Sequence, residues 1–236
     1  VCEKRVSGDL ADVLSLKKEK VMNRRNLGRL AGAALSLVLL TAAPFVRAAE
    51  EAPDALIQRV SAEVLDAIRS DKEVQAGELR KVLALVDTKV MPHVNFTRMT
   101  ASVVGRNWRQ ATPEQKQRLQ DEFKSLLIRT YSGALSQVND QRLSVKPLRA
   151  APGDAEVVVH TEVIGHGDPV QLDYRMEKTP TGWKIYDLNV LGIWMVETYR
   201  TQFAQEINAK GVDGLIAALA QRNKANASAG TSAKKS

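Results

Sequence analysis

Cysteine is all but missing. Cys2 is the single one in 236 residues, and it lies ahead of a segment that reads as a removable leader. A thiolate nucleophile, a zinc–thiolate centre and an internal disulfide are therefore excluded from the mature chain. Histidine is scarce too: His93, His160 and His166 lack the spacing that would set two ligands on one face. G-x-S-x-G, G-x-G-x-x-G, the Walker A loop and H-E-x-x-H are all absent. Aromatic residues make up only 5% against 44% hydrophobic residues in all, so any interior is built mainly from aliphatic side chains. The net charge of +7 hints at nucleic acid, but its distribution removes the hint. Residues 1–48 hold nine basic and four acidic groups, leaving 25 and 23 in the rest, a net of +2.

One long apolar run is present, Leu30 to Val46, behind the basic stretch Met22-Asn-Arg-Arg. It is broken by Pro44, is short for a membrane span, and ends in Val46-Arg47-Ala48, which suits signal cleavage before Ala49. The expected organisation is an over-extended gene start over residues 1–21, an export signal over 22–48, one domain over 49–223 and a disordered Ala/Ser/Lys tail over 224–236. Without a lipobox cysteine the product is expected to be free of a lipid anchor, as a periplasmic protein would be.

The strongest local signal is a long amphipathic helix. Thr112 reads as its N-cap, Pro113 as its first residue and Gln115 as the returning partner of a capping box. Leu119, Phe123, Leu126, Leu127, Tyr131, Leu135 and Val138 then recur at spacings of three and four. Before it, Ala55–Arg69 and Glu78–Met91 also carry helical period. Asn95 caps a short helix with Phe96, Met99 and Val103 inward, Gly105 stops it, and Trp108 follows on a loop. After Val138 the period changes to two. Four segments, around Val145, Val159, Tyr174 and Leu188, alternate apolar with polar residues, and turns at Gly165–Pro169 and Thr179–Gly182 join the last three. Helical period returns after Gly192, breaks at Gly211 and resumes from Val212 to Arg222. The pattern predicts an α+β domain, with helices packed on one face of a curved four-stranded antiparallel sheet.

Little chemistry is legible in this frame. Asp121-Glu122 falls on the polar side of the long helix. Tyr131 and Asp187 could form an acid–base pair across a pocket, but Asp187 alternates opposite to the apolar face and has no third group to orient it. The aliphatic interior without acid–base groups suits an aliphatic ligand.

Two blocks carry a more specific signal. The run Val104-Gly105-Arg106-Asn107-Trp108-Arg109-Gln110-Ala111-Thr112-Pro113-Glu114-Gln115, followed by Phe123, Leu126-Leu127 and Thr130-Tyr131, resembles the MlaC or toluene-tolerance family. So does Tyr174-Arg175-Met176 with Gly182-Trp183-Lys184-Ile185-Tyr186-Asp187, Tyr199-Arg200, Phe203, Gly211 and Leu215-Ile216. The resemblance spans Ala55 to Asn223. The chain departs from the family pattern at Leu191-Gly192-Ile193-Trp194, which adds apolar bulk at the end of the last strand.

The resemblance implies a periplasmic carrier of glycerophospholipid that maintains outer-membrane lipid asymmetry. The implied partners are an outer-membrane lipoprotein–porin complex and an inner-membrane ABC transporter complex. It implies a lipid cavity between helices and sheet, with no catalytic residue, metal ligand or cofactor besides the phospholipid cargo. Ten inward positions are the candidates to line or adjoin that cavity: Val103, Trp108, Phe123, Leu127, Tyr131, Val159, Leu172, Tyr174, Met176 and Leu188. The headgroup is expected near solvent, because burying its charge would need paired groups that the sequence does not reveal. An enzyme on a similar cone-shaped fold and a periplasmic chaperone-like interaction module remain the alternatives.

Overall fold

The computed structural model describes residues 51–133, 138, 140–151, 153–165 and 167–233. The expected gene start and export signal lie outside the described residues. Helix α1 (Pro53–Ser70) opens on a proline at its first position and buries Leu56, Ile57, Val60 and Ile68. Asp71 accepts the amides of Glu73 and Val74 and so caps the one-turn helix α2 (Lys72–Gln75).

The helix expected from Glu78 to Met91 is divided. Its α part, α3 (Leu79–Leu85), gives way to a wider turn over Val86–Val90, closed by the Met91 amide on the Val86 carbonyl, and then to a tight turn over Met91–His93. Pro92 cannot donate a backbone hydrogen bond, so the coil loosens and ends there. Asn95 caps α4 (Phe96–Val104) as expected, and its own amide donates to the Ile185 carbonyl at 2.8 Å, fastening the helix to the sheet.

Helix α5 (Pro113–Tyr131) begins with the expected capping box: Gln115 N donates to Thr112 Oγ1 and Thr112 N to Gln115 Oε1. It ends at Tyr131, short of Val138. Ser132 and Gly133 favour a turn over another helical turn, and the Val138 carbonyl is held by Gln75 on α2.

Five antiparallel strands follow in chain order: β1 (Arg142–Val145), β2 (Glu156–Ile164), β3 (Val170–Thr179), β4 (Gly182–Val190) and β5 (Ile193–Trp194). The expected count of four is corrected by β5, two residues that turn back on Asn189 and Val190. Strict alternation puts Tyr186 on the face of Leu188 and Val190, and Ile185 on the other, and β4 does not keep it. Register slips opposite Arg175 and Met176, so Met176 pairs with Ile185 and Arg175 with Asp187, while Tyr186 is the extra residue of a bulge. Ile185 therefore joins Leu188 and Val190 on the helix side, and Tyr186 leaves it.

Helix α6 runs from Met195 to Ala233, broken at Gly211, whose φ of 71° is open to glycine. It continues past Arg222 to Ala233, into the segment 224–236 expected to be a disordered tail, of which 234–236 lie outside the described residues. The anchor is Asn223, whose amide donates to the Glu122 carbonyl and carboxylate on α5, and the alanines beyond it are good helix formers.

Packing divides into three apolar clusters. The largest joins α4, α5 and α6 around Phe123, whose ring centroid lies 5.1 Å from that of Tyr199 and 5.2 Å from that of Phe203. A second joins α1 to the sheet through Leu56, Ile57, Val157, Val159, Met176 and Ile185. A third gathers Ile68, Val74, Val82 and Ile128 where α1, α2, α3 and α5 meet.

Candidate functional site

The three clusters do not close on one another. Between them lies a cavity of about 300 Å³. Val82 of α3, then Val86, Val90 and Met91 of the turns that follow, form one wall. Val94, Phe96 and Met99 form the next, and α5 contributes Lys124, Leu127, Ile128 and Tyr131, with Ser132 just beyond it. The floor is the sheet, through Tyr174, Ile185, Leu188 and Val190, and Met195 at the start of α6 closes the end. The bulge in β4 matters here, because it is what sets Ile185 and Leu188 on the same side.

Of the ten residues expected at the cavity, four line it: Leu127, Tyr131, Tyr174 and Leu188. The other six lie elsewhere. Val103 and Phe123 are packed inside the helical cluster, and Trp108 rests against its edge with the Lys116 ammonium over its ring. Val159 and Met176 are fully buried between α1 and the sheet. Leu172 is partly buried on β3, level with Thr161 and Val190. Val103, Phe123, Val159 and Met176 are packed core, whereas Trp108 and Leu172 are only partly buried.

The stripe Val82, Val86 and Val90 was legible as one helical face, yet nothing in its spacing marked it as facing empty space. Met99 and Phe96 were likewise legible as inward, and Ile128 sits one position beyond the expected Leu127.

The cavity's polar content is small. The Tyr174 hydroxyl is deep, and burial pushes its pKa up to about 12, only partly offset by the Ser61 and Thr161 hydroxyls beside it. It stays a neutral phenol at any physiological pH. Tyr131 donates to the Met195 sulfur at 3.2 Å, and Lys124 Nζ lies 2.9 Å from Asp87 Oδ1.

Asp187 does not reach this space. It lies opposite Arg175 on the other side of the sheet, fully buried, and accepts the amides of Leu188 at 2.8 Å and Val196 at 3.0 Å. Burial raises its pKa, against the opposing pull of those amides and of Arg175. Its role is to cap α6. Among the described residues, no group of three or more His, Cys, Asp or Glu side chains could hold a metal ion.

This geometry has counterparts. In a solved structure of the phospholipid-binding protein from Ralstonia solanacearum in complex with a phospholipid, 49% identical, the match covers 74% of this chain and 98% of that one with a TM-score of 0.72. Toluene tolerance protein ttg2D of Pseudomonas putida is 29% identical over 178 residues, 75% of this chain and 83% of the relative. The intermembrane phospholipid transport system binding protein MlaC of Haemophilus influenzae is 22% identical over 177 residues, 73% of this chain and 83% of the relative. The family model described as MlaC protein matches residues 58–221, and the chain belongs to that family.

Proposed function

We propose that this protein is a periplasmic phospholipid carrier. It takes the acyl chains of a glycerophospholipid between its helices and its sheet, and moves the lipid between membranes without chemical change. The observation that carries this reading is the apolar cavity, in a chain 49% identical to a protein captured with a phospholipid.

The physical chemistry of the cargo dictates the mode of work. Two acyl chains contain roughly 30 methylenes at roughly 0.8 kcal/mol each, so expulsion into water would cost roughly 24 kcal/mol. The sum lies above the ceiling of about 18–21 kcal/mol for non-covalent affinity, so it is an upper bound, and the reference that matters is a membrane or a docked partner, where the chains never meet water. Release into open periplasm is therefore negligible, and the lipid passes directly to a docked partner. An inner-membrane ABC transporter complex and an outer-membrane lipoprotein–porin complex are the partners we propose.

At about 300 Å³ the cavity is at the small end of ligand sites. A two-chain lipid needs more, so loading parts the walls. The segment Val86–Val90 suits that movement, since none of its residues is fully buried. Among the described residues the enzyme alternative finds no support: Tyr174 in the cavity stays protonated, and Asp187, outside it, is engaged as a helix cap.

The test is native mass spectrometry of the purified protein, followed by organic extraction. An adduct matching phospholipid, with the same lipid in the extract, is expected. Protein without lipid that also takes up none from phosphatidylethanolamine vesicles would refute the carrier reading.

A further inference from the structure

Lys124 is the one charged side chain among the described residues that line the cavity. It stands on α5 one turn before Leu127 and Ile128 and two turns before Tyr131, on the face that closes the cavity. Lys124 lines the cavity while its ammonium pairs with the half-exposed Asp87, and a long cationic side chain typically lays its stem on apolar surface and keeps its head toward water. The ammonium lies 2.9 Å from Asp87 Oδ1. The Lys124 side chain is 25% exposed and that of Asp87 50% exposed. A pair with so wet a partner is weak and easily exchanged.

A phospholipid that lays its chains in this cavity brings one obligatory negative charge. Its phosphodiester cannot follow the chains inward, because an unpaired buried anion is prohibitively costly. It stops at the rim, where the lining offers one cation. A phosphate oxygen can accept from the Lys124 ammonium in a charge-assisted hydrogen bond as the Asp87 carboxylate does now. The exchange leaves the ammonium paired and returns Asp87 to water at little cost.

Resting on the carrier function proposed above, we infer that Lys124 is the phosphate-binding residue of the cavity, exchanging Asp87 for the headgroup phosphate of the incoming phospholipid. Asp87 belongs to the Val86–Val90 wall, so the same exchange removes that wall's ion pair with α5 and leaves the apolar contact of Val86 with the cluster of Ile128. Lys89, 3.0 Å from Glu63, then remains to hold it to α1.

The test separates a phosphate anchor from a structural clasp. The full chain, stripped of lipid, is incubated with phosphatidylcholine vesicles containing equal amounts of dioleoyl phosphatidylglycerol and dioleoylglycerol. These two share acyl chains and differ in the phosphate. Bound lipid is extracted and quantified by mass spectrometry. Lys124→Met is expected to lower the ratio of phosphatidylglycerol to diacylglycerol by roughly tenfold, the loss of one charged hydrogen bond. Lys124→Arg should retain the ratio, and Asp87→Asn, which frees the ammonium, should raise it.

If Lys124→Met takes up lipid with an unchanged ratio, Lys124 is not the anchor. If Asp87→Asn falls along with Lys124→Met, the pair is a clasp and the inference is overturned. A wild-type chain that takes up no lipid from these vesicles, phosphatidylcholine included, overturns the carrier function itself.

Discussion

The Asp187 carboxylate accepts the Val196 amide at 3.0 Å, so a residue of β4 caps the first turn of α6. The same carboxylate receives the Arg175 guanidinium at 3.0 Å, and that guanidinium lies 3.9 Å from the Trp194 ring centroid. Sheet, β5 and last helix are thus joined at one buried oxygen pair. Asp187→Ala is expected to cost about 1–3 kcal/mol, because the Val196 amide and Arg175 lose their partner. Asp187→Asn keeps one oxygen for the two amides but turns its NH2 toward Arg175, so it should cost less than Asp187→Ala without being neutral. Urea unfolding of the two variants checks the order, and equal losses would refute the capping role.

The cavity and the helical core should respond differently to substitution. Phe123→Ala removes the hub of the aromatic cluster and is expected to destabilise by about 3–5 kcal/mol. Leu127→Arg faces the cavity, where the guanidinium can follow the space to the rim. It should keep the fold by circular dichroism and lose bound phospholipid. Folded Leu127→Arg with undiminished lipid would show that the chains lie elsewhere. Val159→Arg cannot serve this purpose, because Val159 is sealed between α1 and the sheet.

Leu191 has a φ of 54°, and its side chain is largely exposed. A left-handed backbone costs an L-residue roughly 1–2 kcal/mol, while little burial is at stake. Leu191→Gly is therefore expected to stabilise the protein by about 0.5–1 kcal/mol after the added freedom of the unfolded chain is counted. A lower melting temperature would contradict this.

Partial burial depresses the pKa of His93, helped by the charges of Arg59 and Lys184. The unfolded chain thus binds this proton more readily than the native one. The neutral imidazole favours the native state above the ordinary value near 6.5, and that contribution is lost as pH falls through the depressed value. Melting temperature should fall as pH drops below about 6.5, before the carboxylates titrate. His93→Gln should flatten that part of the profile, and an unchanged slope would assign it to other groups.

Thr112-Pro113-Glu114-Gln115, Asn95 and Gly211 each announced an element boundary, because caps and breaks are made within a few residues of chain. Alternation in β2 and β3 announced which side chains face the helices. The cavity was less legible. Leu127 and Phe123 sit four residues apart on one helix face, and spacing could not say that one meets a void while the other meets Tyr199 and Phe203. Nor could alternation locate the bulge at Tyr186, since a register slip belongs to two strands at once.

By itself the sequence determined the class of the protein: helices over an antiparallel sheet, an aliphatic interior, no cysteine after Cys2 and no motif of a known catalytic site. These follow from composition and from periods of 3.6 and 2, which are local properties. Only the tertiary structure decided where the interior stays open, that Ile185 joins Leu188 at its floor, and that Lys124 is the one charged side chain among the described residues of its lining. A cavity is the volume left when three clusters pack against their own neighbours and fail to meet, and no single segment encodes it.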